Sequence, residues 1–427
     1  MSDQSNKPTK LSTARRSEGV KDTAPFTLGS FLSRLGQWFQ GVTAFTQVER
    51  PTYEQDRVGT VQQWDEREIL FARKDLLRCF GVDAPQYQAY YAAHPEHLAY
   101  DTKVAHLAEL GQRGGVDVAM FEAQFAVTRE LGAERFVDGA PAPERVEIAP
   151  QRAAEKVKAL ARLFGANLVK IGPLRQEWVY SHVGRSYGDR EGFQKWGQPV
   201  DLRHHPHAIA MGFEMDYGLI RSAPDFPVLL ATAKGYATGA WVAVQLAQYL
   251  RMLGYSARAH HLYNYRVICV PVAVDCGLGE LSRAGYLITK ELGLGVRLAI
   301  VTTDMPLAHD PPVDLGVQSF CTHCKICAEH CPIGAIPTGD KVVFNGIKKW
   351  KLDAEKCYRY WHAVGSDCSL CMTSCPWTKP KNWLHKSLAL PATIKGPHQA
   401  LMTEAHKLFY GEFKGAPRPD FIDPYER

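Results

Sequence analysis

CTHCKICAEHCP (321–332) and CYRYWHAVGSDCSLCMTSCP (357–376) carry eight of the chain's eleven cysteines. The first run has the form C-x₂-C-x₂-C-x₃-C-P, through Cys321, Cys324, Cys327, Cys331 and Pro332. The second is C-x₁₀-C-x₂-C-x₃-C-P, through Cys357, Cys368, Cys371, Cys375 and Pro376. Thiolates two residues apart on a tight loop can reach three irons of one cubane. The cysteine before proline then turns to the other cluster. The expected ligand sets are therefore Cys321, Cys324, Cys327 and Cys375 for one [4Fe–4S] cluster. Cys331, Cys357, Cys368 and Cys371 serve the second. Tetrahedral zinc would use two C-x₂-C pairs rather than triplets closed by Cys-Pro. Disulfides belong to short secreted chains.

Outward from this module, 427 residues can bury a large core in one to three domains. Apolar residues make up 45% and charged residues 22%, values of an ordinary globular protein. A formal charge of +5 is small for this length and gives no argument for nucleic acid or a membrane surface. The remaining cysteines are Cys79, Cys269 and Cys276; two of them lie beside apolar strand-like runs and read as inert core thiols. No stretch approaches the ~20 apolar residues of a membrane span. Arg15-Arg16 is followed by SEGVKDTAPFTLG rather than an apolar segment, so an export signal is not expected and a cytoplasmic location is.

Residues 1–24 read as a disordered tail, and Ser30–Phe45 as a short amphipathic piece. Residues 25–150 form an N-terminal, mostly helical region, with 64–135 helical and a proline-rich linker over 138–150. An α/β (α+β) domain is expected over 151–314. It opens with a helical stripe of Ala153, Val157, Leu160, Ala161 and Phe164, ended by Gly165. Strands are predicted at 167–172, 207–213, 266–274 and 296–301, and a helix at Tyr236–Leu253. The cluster module covers 315–385. A C-terminal tail, 386–427, carries a short helix around Gln399–Phe409.

Two clusters need only about 60–80 residues, so some 300 residues upstream serve another purpose. The glycines of DCGLGELSRAGYLITKELGLG (275–295) either bring backbone close to a flat ligand or make plain turns.

Several further segments carry a resemblance. They are WVYS (178–181), GFEMDY (212–217), GY (235–236), RMLGY (251–255), VPVAVDCGLGELSRAG (270–285), LITKELG (287–293) and VRLAIVTTDMPL (296–307), with CYRYWHAVGSDCSLC (357–371) between the cysteine runs. In their order and spacing the chain resembles the reductive dehalogenases over roughly residues 60–395. That family is corrinoid-dependent and carries two [4Fe–4S] clusters. The resemblance implies a nitroreductase-like α/β domain holding base-off cobalamin, reduced by a C-terminal ferredoxin-like module. It implies two-electron cleavage of a carbon–halogen bond in a small organohalide.

Residue by residue, the family's catalytic tyrosine falls on Tyr236 and its partner arginine on Arg297. A third pocket position falls on Asn264, with Tyr263 and His261 able to fill it instead. Thr232 and Trp361 fall on substrate-pocket positions, and Trp241 is a further pocket aromatic. Gly277, Gly279, Ser282 and Gly285 fall in the corrinoid-binding loop. Ser282 and Ala284 stand where the family has Gly and Asn, which reshapes that loop. The D-x-H-x-x-G loop of histidine-ligating cobalamin proteins is absent. The proton chemistry fits these roles: a free tyrosine titrates near ~10 and is a poor acid at neutral pH. A guanidinium in contact favours the phenolate, and arginine stays charged in a dry pocket.

The resemblance also implies a separate low-potential donor of the ferredoxin or flavodoxin type, with no nucleic-acid partner and no membrane span. Two rivals stand beside this reading. One is an epoxyqueuosine reductase-like tRNA-modifying enzyme, which would use an acidic residue where this chain has SYGDREG (186–192). The other is a non-catalytic electron-transfer protein that only reduces a bound corrinoid.

Overall fold

The computed structural model describes residues 46–423, apart from 108, 186–193, 381–384, 386–391, 393 and 412. The expected tail, the 30–45 piece and the SYGDREG segment thus lie outside the described residues.

A four-stranded antiparallel sheet forms the centre. In chain order its strands are β1 (Leu168–Pro173), β2 (His207–Glu214), β3 (Ala257–His260) and β4 (Val296–Thr303), and their spatial order is β1-β2-β4-β3. The sheet is covered on both faces, so β2 shows a continuous buried run instead of an alternating one. Ile209, Met211 and Phe213 point to one side, into a core with Val157, Ala161, Val242, Leu246 and Leu250. Ala208 and Ala210 point to the other, against Trp178, Val272 and Val274. Val157 and Ala161 belong to a helix, Pro150–Phe164, that begins on proline and stops at Gly165, whose φ of +121° ends the helix.

The long helix against the first face, α1, runs Pro227–Met252. It starts nine residues before the expected Tyr236, so Tyr236 lies in its third turn and not at its start. Val228–Ala233 are buried all round, which erases the amphipathic period that marks a surface helix. The segment 266–274 is the other correction. In place of a strand it forms a short helix over Cys269–Asp275. Pro271 stands in its first turn, where the missing N–H costs nothing, and burial of Val272–Val274 overrides β-branched propensity. The 138–150 linker is pinned to the end of α1: Ala142 N–H donates to Arg251 O at 2.8 Å and Val146 N–H to Leu253 O at 3.0 Å.

The glycine-rich loop makes a small hairpin, Glu280–Leu281 against Leu287–Ile288, that holds the cysteine module. Buried Glu280 accepts from Leu315 and Val317 N–H groups at 2.5 and 3.2 Å. Arg283 donates to Cys321 O at 2.9 Å and lies over the Trp350 ring.

Candidate active site

Arg297 enters the site from β4, paired across the sheet with Phe213. Its guanidinium carbon lies 5.1 Å from the centre of the Tyr236 ring. The approach depends on Gly235, where a Cβ would stand 2.9 Å from Arg297 Cγ. Arg297 Nη2 donates to Thr232 Oγ1 at 2.7 Å and faces Asp367 Oδ2 at 3.3 Å. Thr232 in turn donates to the same Asp367 oxygen. Burial alone would pull the Arg297 guanidinium down. Tyr236 and Asp367 outweigh it and hold its pKa above the ordinary value. Burial pushes Asp367 up, against the pull of Arg297 and Thr232.

These groups line a cavity of ≈ 370 Å³. Trp361, Tyr286 and Phe71 share its wall, and Phe121, Phe125 and Leu229 make another part apolar. Cys331, Cys357, Cys368 and Cys371 also line it, so the second cysteine quartet borders the Tyr236–Arg297 pair. Ser369 adopts a left-handed φ of +48° inside the C-x₂-C loop, which turns the chain between Cys368 and Cys371. The first quartet, Cys321, Cys324, Cys327 and Cys375, surrounds a separate small cavity closed by Phe320, Ile288 and Leu294. The four thiols of each set therefore meet in space although each set draws on both runs, and this donor chemistry fits two cubane clusters. Cys327 and Cys371 are close enough to act on each other electrostatically, so the two sets adjoin.

Several expected residues lie elsewhere. Asn264 is fully buried outside the cavity, accepting from Arg258 at 2.6 Å and donating to Gly132 O at 2.9 Å. His261 is likewise tied to Leu131 O, and Leu262 is the residue of that segment that reaches the cavity. Trp241 is 54% exposed, because it falls on the side of α1 turned away from the sheet. Gly277 and Gly279 are closely packed: a Cβ there would meet Pro311 O at 2.2 Å and Ile288 O at 2.0 Å. Gly285, with φ +80°, abuts Leu352, and Ser282 faces the first quartet with its buried Oγ lacking a hydrogen-bond partner. Asp367 was missed by sequence reasoning, although a carboxylate one residue before Cys368, inside a buried module, was a usable signal.

The class defined by this arrangement is an α/β protein whose tyrosine–guanidinium pair faces a dicluster iron–sulfur module. Residues 320–379 match the 4Fe-4S dicluster domain. The chain is 35% identical over 275 residues to a tetrachloroethene reductive dehalogenase of Desulfitobacterium hafniense, covering 55% of this chain and 50% of that one. Among solved structures it matches the catabolic reductive dehalogenase NpRdhA in complex with 3-bromo-4-hydroxybenzoic acid. The TM-score is 0.67, with 26% identity over 86% of this chain and 48% of that chain. A reductive dehalogenase structure described for B12-dependent dehalogenation matches with TM-score 0.64 and 26% identity, covering 86% of this chain and 48% of that one. Over the matched stretches the chain is similar in sequence and in fold to reductive dehalogenases. It spans about half the length of the curated relatives it matches. No helix among the described residues is long and apolar enough to cross a membrane.

Proposed function

We propose that the chain is a corrinoid-dependent reductive dehalogenase acting on a small organohalide. One observation carries the reading: Tyr236 and Arg297 meet in a cavity whose lining includes the second cysteine quartet. In the same proposal Cys321, Cys324, Cys327 and Cys375 hold one [4Fe–4S] cluster, and Cys331, Cys357, Cys368 and Cys371 hold the other. Residues 151–314 supply the corrinoid domain and 315–385 the cluster module. A separate ferredoxin- or flavodoxin-type donor and a cytoplasmic location complete it.

The residues fit a base-off corrinoid. Among the described residues no histidine lines the cavity, and its walls away from Arg297 and Asp367 are largely apolar. When bound, the corrinoid supplies a low-valent cobalt centre that reduces the carbon–halogen bond. The net reaction takes two electrons and one proton and gives a C–H bond and a halide ion. Tyr236 Oη–H is positioned to give that proton to carbon. Arg297, beside the ring, stabilises the phenolate left behind. Asp367 and Thr232 fix the guanidinium's orientation through one shared carboxylate oxygen. Aromatic walls at Trp361, Tyr286 and Phe71 exclude water and suit a flat or apolar halide.

The epoxyqueuosine reductase-like reading has less support, since the longer matches in sequence and in fold are to reductive dehalogenases. The test is anaerobic reconstitution with iron, sulfide and cobalamin, followed by a halide-release screen with reduced methyl viologen. Substrate-dependent release is expected. Loaded protein that releases no halide from any chlorinated or brominated aromatic or alkene would reduce the chain to a corrinoid-reducing carrier.

A further inference from the structure

Three metal-binding side chains converge where the short helical turn Glu66–Glu68 meets the corner between two helices, Pro85–Ala93 and Pro95–Ala105. Glu68, His94 and His97 each bring one ligand atom within 4.8 Å of the other two. All three are half-buried, and none lines the Tyr236 cavity. His94 is the corner residue itself, and Pro95 opens the next helix, which sets His97 in its first turn. The two imidazole rings stack with centres 5.1 Å apart and planes 13° from parallel. On one edge of the stack His94 Nε2 stands 3.5 Å from Glu68 Oε1. On the same edge the Tyr90 hydroxyl lies 3.0 Å from His97 Nδ1 and donates to Glu68 Oε2 at 3.3 Å. On the opposite edge Glu96 Oε1 faces His94 Nδ1 at 3.7 Å and His97 Nε2 at 3.8 Å.

We propose that Glu68, His94 Nε2 and His97 Nδ1 bind one divalent first-row transition ion of the zinc type. The 3.5 Å between Glu68 and His94 is long for an N–H···O hydrogen bond. It matches the roughly 3.4 Å that separates two ligands each about 2.0–2.1 Å from a tetrahedral zinc. Two imidazoles and one carboxylate are the donors such an ion takes, whereas calcium and magnesium ask for oxygen alone. Glu96 stands where a carboxylate steadies a metal-bound imidazole, against the nitrogen that does not bind. The site needs neither the clusters nor a corrinoid, and its role is structural. Leu70 and Phe71, just after Glu68, line the Tyr236 cavity. Glu66, just before it, accepts from Gly184 and Arg185 N–H at 2.9 and 3.0 Å. An ion on Glu68 therefore ties this stretch of the cavity wall to the helical corner at His94.

The test uses full-length protein reconstituted with iron and sulfide, so that the clustered cysteines are occupied, and zinc chloride as probe. After anaerobic dialysis against ~10 µM zinc, metal is counted by mass spectrometry and its ligands are read by zinc-edge X-ray absorption. The parent should hold one zinc more than His94→Ala/His97→Ala, at equal iron content. That zinc should show nitrogen and oxygen neighbours at about 2.0–2.1 Å, the outer-shell signature of imidazole, and no sulfur at ~2.3 Å. Glu68→Gln keeps the side chain's size and removes its charge, and should weaken zinc binding by ~10-fold or more. Zinc should also slow hydrogen exchange over residues 66–73 in the parent and not in the double variant. Equal zinc in parent and double variant would overturn the proposal. So would sulfur around the parent's zinc, which assigns the ion to cysteines, or a parent that takes up none, which leaves the two rings and the carboxylates sharing protons instead of a metal. The X-ray spectrum of the parent decides the matter even if the double variant fails to fold. Halide release plays no part in the readout, so the dehalogenase reading stands or falls separately.

Discussion

Arg297 and Tyr236 are stacked, guanidinium over ring, at 5.1 Å, and Gly235 on α1 leaves the space that lets them meet. The pair joins a strand end to the middle of a helix, so neither residue can shift without the sheet–helix packing. This geometry explains why the charge of Arg297 is available to the phenolic oxygen while the same group is anchored to Thr232 and Asp367.

Tyr236→Phe keeps the ring over which Arg297 lies and removes only the acidic oxygen. Dehalogenation should slow by ~10²-fold or more, the usual worth of a general acid. Iron content and corrinoid binding should stay at parent levels. Turnover equal to the parent with both cofactors loaded would move the proton source elsewhere.

Asp367→Asn keeps an oxygen for the Thr232 hydroxyl but removes the charge opposite Arg297. The guanidinium then has a reason to swing, and kcat should fall by ~10-fold with little change in KM. Steady-state kinetics on cluster-replete protein check the split. A change confined to KM would mean that Asp367 meets the substrate and does not position Arg297.

Gly235→Ala separates helix stability from site geometry. In a helix interior the added methyl is favourable by about 1 kcal/mol, yet here it would stand 2.9 Å from Arg297 Cγ. The arginine stem must yield, so activity should drop by ~10-fold or more while thermal stability changes little. Parent-like activity would show that the stem moves without carrying the guanidinium off the Tyr236 ring.

How much of this was legible follows from what each signal depends on. The cysteine spacing fixes ligand geometry locally, and strands such as Val296–Thr303 are marked by β-branched runs. The start of α1 was hidden because Val228–Ala233 are buried all round and lose periodicity. The segment 266–274 was misread because propensity cannot see that its valines pack as a helix between sheet and loop. At the site, Tyr236, Arg297, Thr232 and Trp361 meet, since the resemblance carried them. Asn264 and Trp241 do not, because sequence position says little about which way a side chain faces. Asp367 became visible only when the module folded back onto α1.

Gly279→Ala tests whether the glycine-rich loop is there for packing. A methyl would be placed 2.0 Å from Ile288 O, inside the hairpin that anchors Glu280 and Arg283 to the cluster module. The closest atoms are the Ile288 backbone O and C, which cannot swing aside as a side chain can. Loss of about 2 kcal/mol or more is expected, seen as a lower Tm in the apo protein as well as the loaded one. A variant with parent Tm but weaker corrinoid binding would restore the ligand-cradle role to this glycine.

The last prediction concerns how the two cysteine runs cross. Cys375 ends the second run, yet it lines the cavity of Cys321, Cys324 and Cys327; Cys331 ends the first run, yet it lines that of Cys357, Cys368 and Cys371. If the runs each held their own cluster, Cys375→Ser and Cys371→Ser would damage the same one. The observed grouping says otherwise. Cys375→Ser should resemble Cys324→Ser, losing the cluster held with Cys321 and Cys327. Cys331→Ser should resemble Cys371→Ser, losing the cluster beside Tyr236. Parent protein should bind about eight irons, and each variant about four to seven, since a serine ligand or a three-iron remnant can persist. EPR at graded potentials tells the two clusters apart, and the magnetic interaction between adjacent reduced clusters should vanish in all four variants. The two pairs should then separate by which single-cluster spectrum survives. Cys375→Ser pairing with Cys371→Ser instead would show that each run folds around its own cluster, and the grouping of thiols described above would have to be redrawn.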